Sequence, residues 1–283
     1  AALFGFSYGF GIPSALSCFA DETTFENRGR VGGIIWFLAN IFAVFFAVFV
    51  SLAAGLFAVL LYILVWRSLS FYVFGLSDER GIQTQNTESL SFGQILRNKP
   101  FLLYIIPWLM FLLVDSVERN YVPFFIQASF SSSFYELNQL IEIIVGAFSA
   151  LVIGIVADLV GRKRVIVYGF VSLGVAYAII GLAPTLELSW IFYSVIDGIA
   201  WSTFYVLFLS VVWGDLSSFM TREKYYVLGG TPFFVSKLVG NLLPYMQGNP
   251  VESTYVAFFS LAAFFLFLAV VPLMYAPETM PEE

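Results

Sequence analysis

The chain has 283 residues, of which 60% are hydrophobic, 19% aromatic and only 11% charged, and its formal net charge is −6. Soluble domains carry about 25% charged residues, so a water-soluble globule is excluded. A single cysteine excludes an internal disulfide, and the absence of histidine removes the commonest zinc ligand and the usual pH switch. Because the acidic residues are scattered, no nucleic-acid partner is predicted, and we predict neither a metal site nor a cofactor.

Long apolar blocks predict an all-α polytopic membrane protein with about nine transmembrane helices, because about 20 apolar residues cross a bilayer. A tight turn near residues 51–55 is expected between the second and third spans. A single helix through both would measure about 66 Å and exceed any bilayer. The predicted spans cover residues 1–20, 31–51, 54–75, 101–127, 136–157, 165–183, 189–213, 226–246 and 253–275.

Basic residues gather in alternate connections between these spans. All but two of the 13 lysines and arginines lie in or beside the connections that follow spans one, three, five and seven. The exceptions, Arg119 and Lys237, lie inside apolar runs. The positive-inside rule places these connections and the C-terminus in the cytoplasm. We therefore expect a multi-pass protein of the plasma membrane.

Two of these connections resemble each other. The segment Asp21–Arg30 aligns with Asp215–Lys224, 194 positions further along, so that an acid, two hydroxyls, Phe, Arg and a final basic residue coincide. Chance similarity between two loops is the alternative. Related repeats are typical of secondary transporters. The aligned charged residues are Asp21, Arg28, Arg30, Asp215, Arg222 and Lys224.

The repeat implies that about three spans are missing upstream of residue 1. Only one predicted span precedes the first copy, whereas four lie between the polar stretch 76–99 and the second copy. We therefore expect residues 1–75 to be the last three spans of an N-terminal half. Residues 76–99 would be the cytoplasmic linker, and residues 100–283 a C-terminal six-helix half. The chain begins without methionine inside an apolar run, which is typical of a fragment.

The connection after the fifth span carries the run Gly154-Ile-Val-Ala-Asp158-Leu-Val-Gly161-Arg162-Lys163-Arg164. This run resembles the loop signature of the major facilitator superfamily, Gly-x-x-x-Asp-Arg-x-Gly-Arg-Arg/Lys, and departs from it at Leu159, where the stronger family copy is basic. The resemblance implies a bundle of two six-helix halves that here lacks the first three helices. It also implies a cytoplasmic gate formed by Gly154, Asp158, Gly161, Arg162 and Lys163.

The residues of this run also have roles that follow from their chemistry. Gly154 allows two helices to approach closely, Asp158 can pair with basic residues across the loop, and Gly161 permits a tight turn. Residues 162–164 are expected at anionic headgroups. A plain positive-inside anchor without a gating role is the alternative. Pro277-Glu278-Thr279 resembles the ending of sugar-porter members, a match too short to indicate sugar.

Six ionisable side chains fall inside predicted spans, where each costs about 2.5–3.5 kcal/mol on insertion scales. At about 1.5 Å per residue, four of them lie in the outer half of the membrane, where they can line one cavity. Asp115 and Arg119 can pair on one helix face. Asp197 and Lys237 lie on consecutive spans, which predicts a second ion pair. The alternative to a functional role is that these residues form ion pairs that only fix the register of the helices. The six residues are Asp115, Glu118, Arg119, Glu142, Asp197 and Lys237.

Glu142 is the candidate for proton coupling. It has no basic neighbour in sequence, and an unpaired buried carboxylate can carry a proton at neutral pH. It shares a helix face with small and polar residues, which suits either a cavity or a close helix contact. Most aromatic residues are attributed to the lipid-facing surface and the interfacial belts. Trp201 is an exception, because it shares a face with Asp197.

The sequence therefore predicts a proton-coupled secondary transporter that moves a small solute by alternating access, and not an enzyme. We expect a monomer in the lipid bilayer. A non-transporting receptor or sensor on the same scaffold is the alternative, although the linker and the eight-residue tail after Tyr275 leave no room for a signalling domain. An intramembrane enzyme would need a catalytic constellation, and a channel does not require the two-half repeat.

Overall fold

The computed structural model describes residues 2–52, 55–65, 90–246 and 252–280. Within these ranges all regular structure is helical and no strand occurs, which confirms the predicted all-α class. Six helices are long and apolar enough to cross a membrane, as expected of a multi-pass membrane protein. The count of about nine spans stays a prediction.

The helices follow one another with short breaks. The first three are α1 (Ala2–Glu22), α2 (Arg28–Leu52) and α3 (Leu56–Val65). They are followed by α4 (Phe92–Ile95), α5 (Lys99–Ser129), α6 (Ser132–Val160) and α7 (Arg162–Leu182). Helix α8 (Glu187–Phe204) continues through a π-helical segment (Tyr205–Val211) into α9 (Val212–Leu216). The last two are α10 (Arg222–Met246) and α11 (Glu252–Tyr275).

Local sequence explains where the helices break. Gly55 has a φ of +148° between α2 and α3, which confirms the turn predicted near residues 51–55. Gly161 has a φ of +108° between α6 and α7, as expected for the tight turn there. Both values lie in the region that favours glycine. The hydroxyl of Ser131 accepts a hydrogen bond from the N–H of Phe134 at 3.1 Å and so caps the start of α6.

The chain divides into two compact units, residues 38–88 and the larger unit of residues 1–37 with 89–283. In the smaller unit Tyr62 stacks on Phe49, with ring centroids 4.5 Å apart. The end of the third predicted span and most of the predicted linker fall at residues 66–89, outside the described residues. The domain boundaries drawn from the sequence stay predictions.

Aromatic residues fill the core of the larger unit. Helix α6 packs against α8, α7 packs against α8 and α11, and α5 packs against α10 and α11. Trp108, Trp190 and Trp213 are fully buried between these helices. Part of the aromatic surplus therefore fills the core and does not face lipid. Outward-facing side chains such as Phe124 and Phe148 are apolar and exposed, which suits a lipid environment.

Small and polar residues bring α6 and α8 into close contact. The hydroxyl of Ser194 donates to the Oδ1 atom of Asn138 at 2.6 Å, and the hydroxyl of Ser202 donates to a backbone carbonyl of α6. A Cβ atom at Gly198 would lie 2.6 Å from the carbonyl oxygen of Glu142. The face of α6 that carries Glu142 is therefore a helix contact, one of the two roles expected for it.

Candidate functional site

Charged residues from several connections meet at one end of the larger unit. They come from the α1–α2 connection, the α6–α7 connection, the end of α9 and the start of α10. We call this set the loop network. It consists of Asp21, Arg28, Arg30, Asp158, Arg162, Asp215 and Arg222.

Two buried arginines and two buried aspartates form the centre of the loop network. The guanidinium of Arg162 lies 2.8 Å from Asp158 and 3.3 Å from Asp215. Asp215 also pairs with Arg28, and none of these four side chains is more than 3% exposed. The charges balance, as a buried network requires. The expectation that Arg162 faces headgroups is wrong, because the two carboxylates hold it inside, whereas Arg164 is exposed.

Asp158 also closes the start of α2. Its carboxylate accepts hydrogen bonds from the N–H groups of Gly29 at 2.9 Å and Arg30 at 2.8 Å. The first amides of a helix have no intrahelical partner and favour negative charge. Helices α2 and α6 can come this close because residue 154 is a glycine. A Cβ atom there would lie only 2.9 Å from the carbonyl carbon of Gly29. The close approach expected at Gly154 and the pairing expected of Asp158 are both present.

The two loops of the predicted repeat exchange ion pairs. Arg28 of the first copy pairs with Asp215 of the second, and Arg222 of the second copy pairs with Asp21 of the first. Aligned residues are 194 positions apart in both cases, so the contacts are reciprocal. Elements related by a two-fold axis make contacts of this kind.

The two loops also share one backbone turn. In the first copy the N–H of Thr24 donates to the Oδ1 atom of Asn27 at 2.9 Å. In the second copy the N–H of Ser218, at the aligned position, donates to the Oγ1 atom of Thr221 at 3.2 Å. In both copies the following helix begins at the next residue. The similarity read from the sequence therefore extends to local geometry.

The C-terminal segment docks on the loop network through Glu278. One carboxylate oxygen of Glu278 accepts hydrogen bonds from the N–H groups of Arg162 at 2.8 Å and Lys163 at 3.2 Å, at the start of α7. Gly161 makes room for it, because a Cβ atom there would lie 2.6 Å from Glu278. The hydroxyl of Thr279 donates a hydrogen bond to the carboxylate of Asp215, a member of the loop network, at 3.1 Å. Sequence reasoning missed this contact, although an acidic residue just after the last span was a usable signal.

The lysines of the predicted gate and repeat loops, Lys163 and Lys224, bind backbone carbonyl groups. The ammonium of Lys163 donates to Ala276 at 2.9 Å, and that of Lys224 donates to Leu90 at 2.8 Å. Neither lysine forms an ion pair within the described ranges. The two repeat copies therefore differ at their final basic residue. Arg30 of the first copy pairs with Asp158, whereas the aligned Lys224 binds a backbone carbonyl.

A second charged group lies inside the larger unit on α5, α6 and α8. We call its acids, Asp115, Glu118, Glu142 and Asp197, the carboxylate cluster. These acids interact electrostatically with one another and with Arg119, while Lys237 interacts with Asp115 and Arg119 from α10. The structure therefore brings together the ionisable residues that the sequence places inside predicted spans.

Arg119 is the cation of this group that forms an ion pair. Its Nε atom lies 2.9 Å from Asp115, as the spacing of four residues predicts. Its guanidinium also lies 5.2 Å from the ring centroid of Trp201, a cation–π distance. Trp201 stacks on Tyr205, and Tyr205 stacks on Trp36 of α2, with centroids 4.8 and 4.2 Å apart. Tyr205 begins the π-helical segment, a feature that often marks functional sites.

The predicted ion pair between Asp197 and Lys237 is not formed. The ammonium of Lys237 lies 5.3 Å from the ring centroid of Phe233. Helix α10 packs mainly on α5 and meets the preceding span beyond α8, where the hydroxyl of Tyr226 donates to the carbonyl of Ser210 at 2.6 Å. Helix α8, which carries Asp197, packs instead on α6 and α7. Asp197 is only 2% exposed, and its carboxylate has no hydrogen bond or ion pair in the described part of the chain. Glu142, expected as the unpaired acid, is half-buried and lies 3.4 Å from Gln139.

Two tyrosines complete the surroundings of the carboxylate cluster. Tyr193 lies beside Glu118 and donates its hydroxyl hydrogen to the hydroxyl of Tyr177 at 3.1 Å. Both tyrosines are buried and lie within electrostatic range of Asp197. Helical spacing places Tyr193 on the same face as Asp197, four residues further along. Sequence reasoning missed Tyr177, because an uncharged aromatic residue in an aromatic-rich chain gives no distinguishing pattern.

The geometry defines an all-helical multi-pass membrane protein with one buried, balanced charge group and a second group in which acids outnumber cations. Among the described residues no group of three or more acidic or cysteine side chains is placed to hold a metal ion. No family model matches the chain, and no curated protein is significantly similar to it in sequence.

Proposed function

We propose that this protein is a secondary transporter of the major facilitator type, which exposes one internal site to the two sides of a membrane in turn. The reciprocal ion pairs Arg28–Asp215 and Arg222–Asp21 carry the proposal. Transporters of this class contain repeats related by an axis along the membrane normal, and two loops at one end that exchange contacts fit such an axis. The proposal includes a small-solute substrate, a plasma-membrane location and a cytoplasmic C-terminus.

The loop network would be the gate at its end of the protein. It joins the start of α2 to α6 through Asp158, and it joins the α1–α2 connection to the end of α9 through Asp215. In the proposed architecture these contacts cross between the two halves. A buried ion pair is either formed and dry or broken and hydrated, because a buried charge left without its partner is costly. The network would therefore be either closed or open.

We infer that protons are the coupling ion and that the carboxylate cluster takes them up. A charged carboxylate inside the membrane costs about 2.5–3.5 kcal/mol on insertion scales, and protonation removes that charge. Replacing Glu142→Gln would abolish uphill accumulation driven by a proton gradient and leave substrate exchange intact. Unchanged uphill transport would exclude Glu142 from coupling.

Distances across the loop network test the proposed class. Cys18 is the sole cysteine, so Cys18→Ser gives a cysteine-free background. Spin labels at Glu26→Cys and Arg164→Cys, both exposed, then report the separation of the α1–α2 and α6–α7 connections by pulsed electron resonance in liposomes. A transporter gives two distance populations, and Asp158→Asn shifts the balance towards the longer one because it breaks the network.

The matched control is Glu136→Gln, which removes an exposed acid on the same helix as Asp158, outside both charged groups. This variant is expected to leave the distances unchanged. A receptor that does not alternate would show one distance in the parent and in the Asp158→Asn variant. That result would overturn the proposed class.

A further inference from the structure

We propose that the carboxylate cluster binds a small organic cation with an aromatic or apolar body. This inference rests on the proposed transport function and names the substrate class of the same site. It starts from the charge count of the cluster. Four carboxylates share one nearby guanidinium, that of Arg119, which is already paired with Asp115. The ammonium of Lys237 lies against Phe233 and forms no ion pair in the part of the chain that the structure describes.

Asp197 supplies the second observation. Its side chain is almost fully buried, has no partner among the described residues, and interacts most strongly with Glu142 and Glu118. Three acids and one cation, Arg119, act on this carboxylate, so negative charge predominates around it. A buried charge without a partner is costly, and a bound cation would offset that cost. An anion would instead meet an excess of negative charge.

Arg119 shows how the site recognises a cation. Its guanidinium is held by a carboxylate at 2.9 Å and lies 5.2 Å from the ring centroid of Trp201. The same combination of acid and aromatic ring recurs around Asp197, where Tyr177 and Tyr193 are the buried aromatic neighbours. Aromatic faces attract organic cations that have lost part of their water.

The arrangement favours an organic cation over a metal ion. Hard metal ions require about six oxygen ligands that converge on one point. The acids of the cluster do not converge in this way, since no metal-holding group occurs among the described residues. An organic cation places one charge near several acids while its apolar body contacts the rings, which suits spread carboxylates.

Isothermal titration of the 283-residue protein in detergent micelles tests the inference with three probes of similar shape. Benzylamine carries a positive charge at neutral pH, benzyl alcohol is neutral and benzoate is negative. We expect saturable binding of benzylamine alone. Stronger binding of benzoate, equal binding of benzyl alcohol, or no saturable binding of benzylamine would each overturn the proposal.

Variants then locate the binding site. Asp197→Asn and Glu142→Gln should each weaken benzylamine binding by about tenfold or more, because each removes one negative charge of the cluster. Glu136→Gln, the exposed acid on α6, should leave it unchanged. Glu142→Gln keeps the test valid if Asp197→Asn fails to fold. Unchanged affinity in both cluster variants would overturn the proposal. The spin-label distances are measured without ligand. They therefore show whether the proposed transporter class is wrong, independently of whether benzylamine binds.

Discussion

The loop network and the carboxylate cluster contain the same kinds of charged side chain in opposite balance. In the loop network two buried arginines meet two buried aspartates, and Asp158 also accepts two backbone hydrogen bonds. In the carboxylate cluster four acids share the guanidinium of Arg119, and Asp197 has no partner in the described ranges. The loop network is therefore balanced within the protein, whereas in the proposed transporter the carboxylate cluster would take up a proton or a ligand.

The two regions also differ in what holds them together. The loop network joins segments far apart in sequence, since Arg28 and Asp215 are separated by 187 positions. The acids Glu142 and Asp197 lie on α6 and α8, whose backbones touch at Gly198. The loop network therefore joins segments that can part if its ion pairs break. Tight backbone contact fixes the two acids of the cluster relative to each other, and in the loop network such contact occurs at Gly154.

The largest effect is expected from Asp158→Asn. This substitution leaves Arg162 buried with one carboxylate partner fewer and weakens the cap on α2. Loss of one member of a buried pair costs about 3–5 kcal/mol. The free energy of unfolding, measured by denaturant titration in mixed micelles, should fall by this amount. A loss below about 1 kcal/mol, the usual value for exposed pairs, would show that the network does not stabilise the fold.

A smaller effect of opposite sign is expected from Asp197→Asn. The same chemical change here removes a carboxylate that has no partner among the described residues, so it relieves the cost of burying it. The free energy of unfolding should rise by about 1 kcal/mol or more, because a neutral amide costs less to bury than a charged carboxylate. The same titration measures it, without ligand. A loss as large as that of Asp158→Asn would contradict the contrast between the two regions.

Patterns along the chain were sufficient to predict the all-α class and several local contacts. Hydropathy and glycine placement predicted the helix breaks at Gly55 and Gly161. A spacing of four residues predicted the pair Asp115–Arg119, because side chains one helical turn apart must meet. The repeat identified the loops that exchange ion pairs, although their reciprocal partners became visible only in the structure.

Contacts between helices were harder to predict from the sequence. The expected pair of Asp197 with Lys237 failed because the order of helices along the chain does not fix which helices touch. Burial of Arg162 could not be predicted either, because its second partner, Asp215, lies 53 positions away. Tyr177 carries no charge and follows no spacing that separates it from the other tyrosines. Each of these features depends on packing between helices and not on position along one helix.

The smallest effect is expected from Asp21→Asn, at the loop position that aligns with Asp215. The side chains of Asp21 and Arg222 are 29% and 14% exposed, whereas Asp215 is fully buried. Water already solvates part of the outer pair, so its loss should lower the free energy of unfolding by about 0.2–1 kcal/mol. Asp215→Asn is the matched control, because it removes the aligned acid at a buried site and should cost several times more. Asp215 also has more partners, since Arg162 and Thr279 bind it besides Arg28. Equal losses would therefore mean that neither burial nor the number of partners sets the strength of the network.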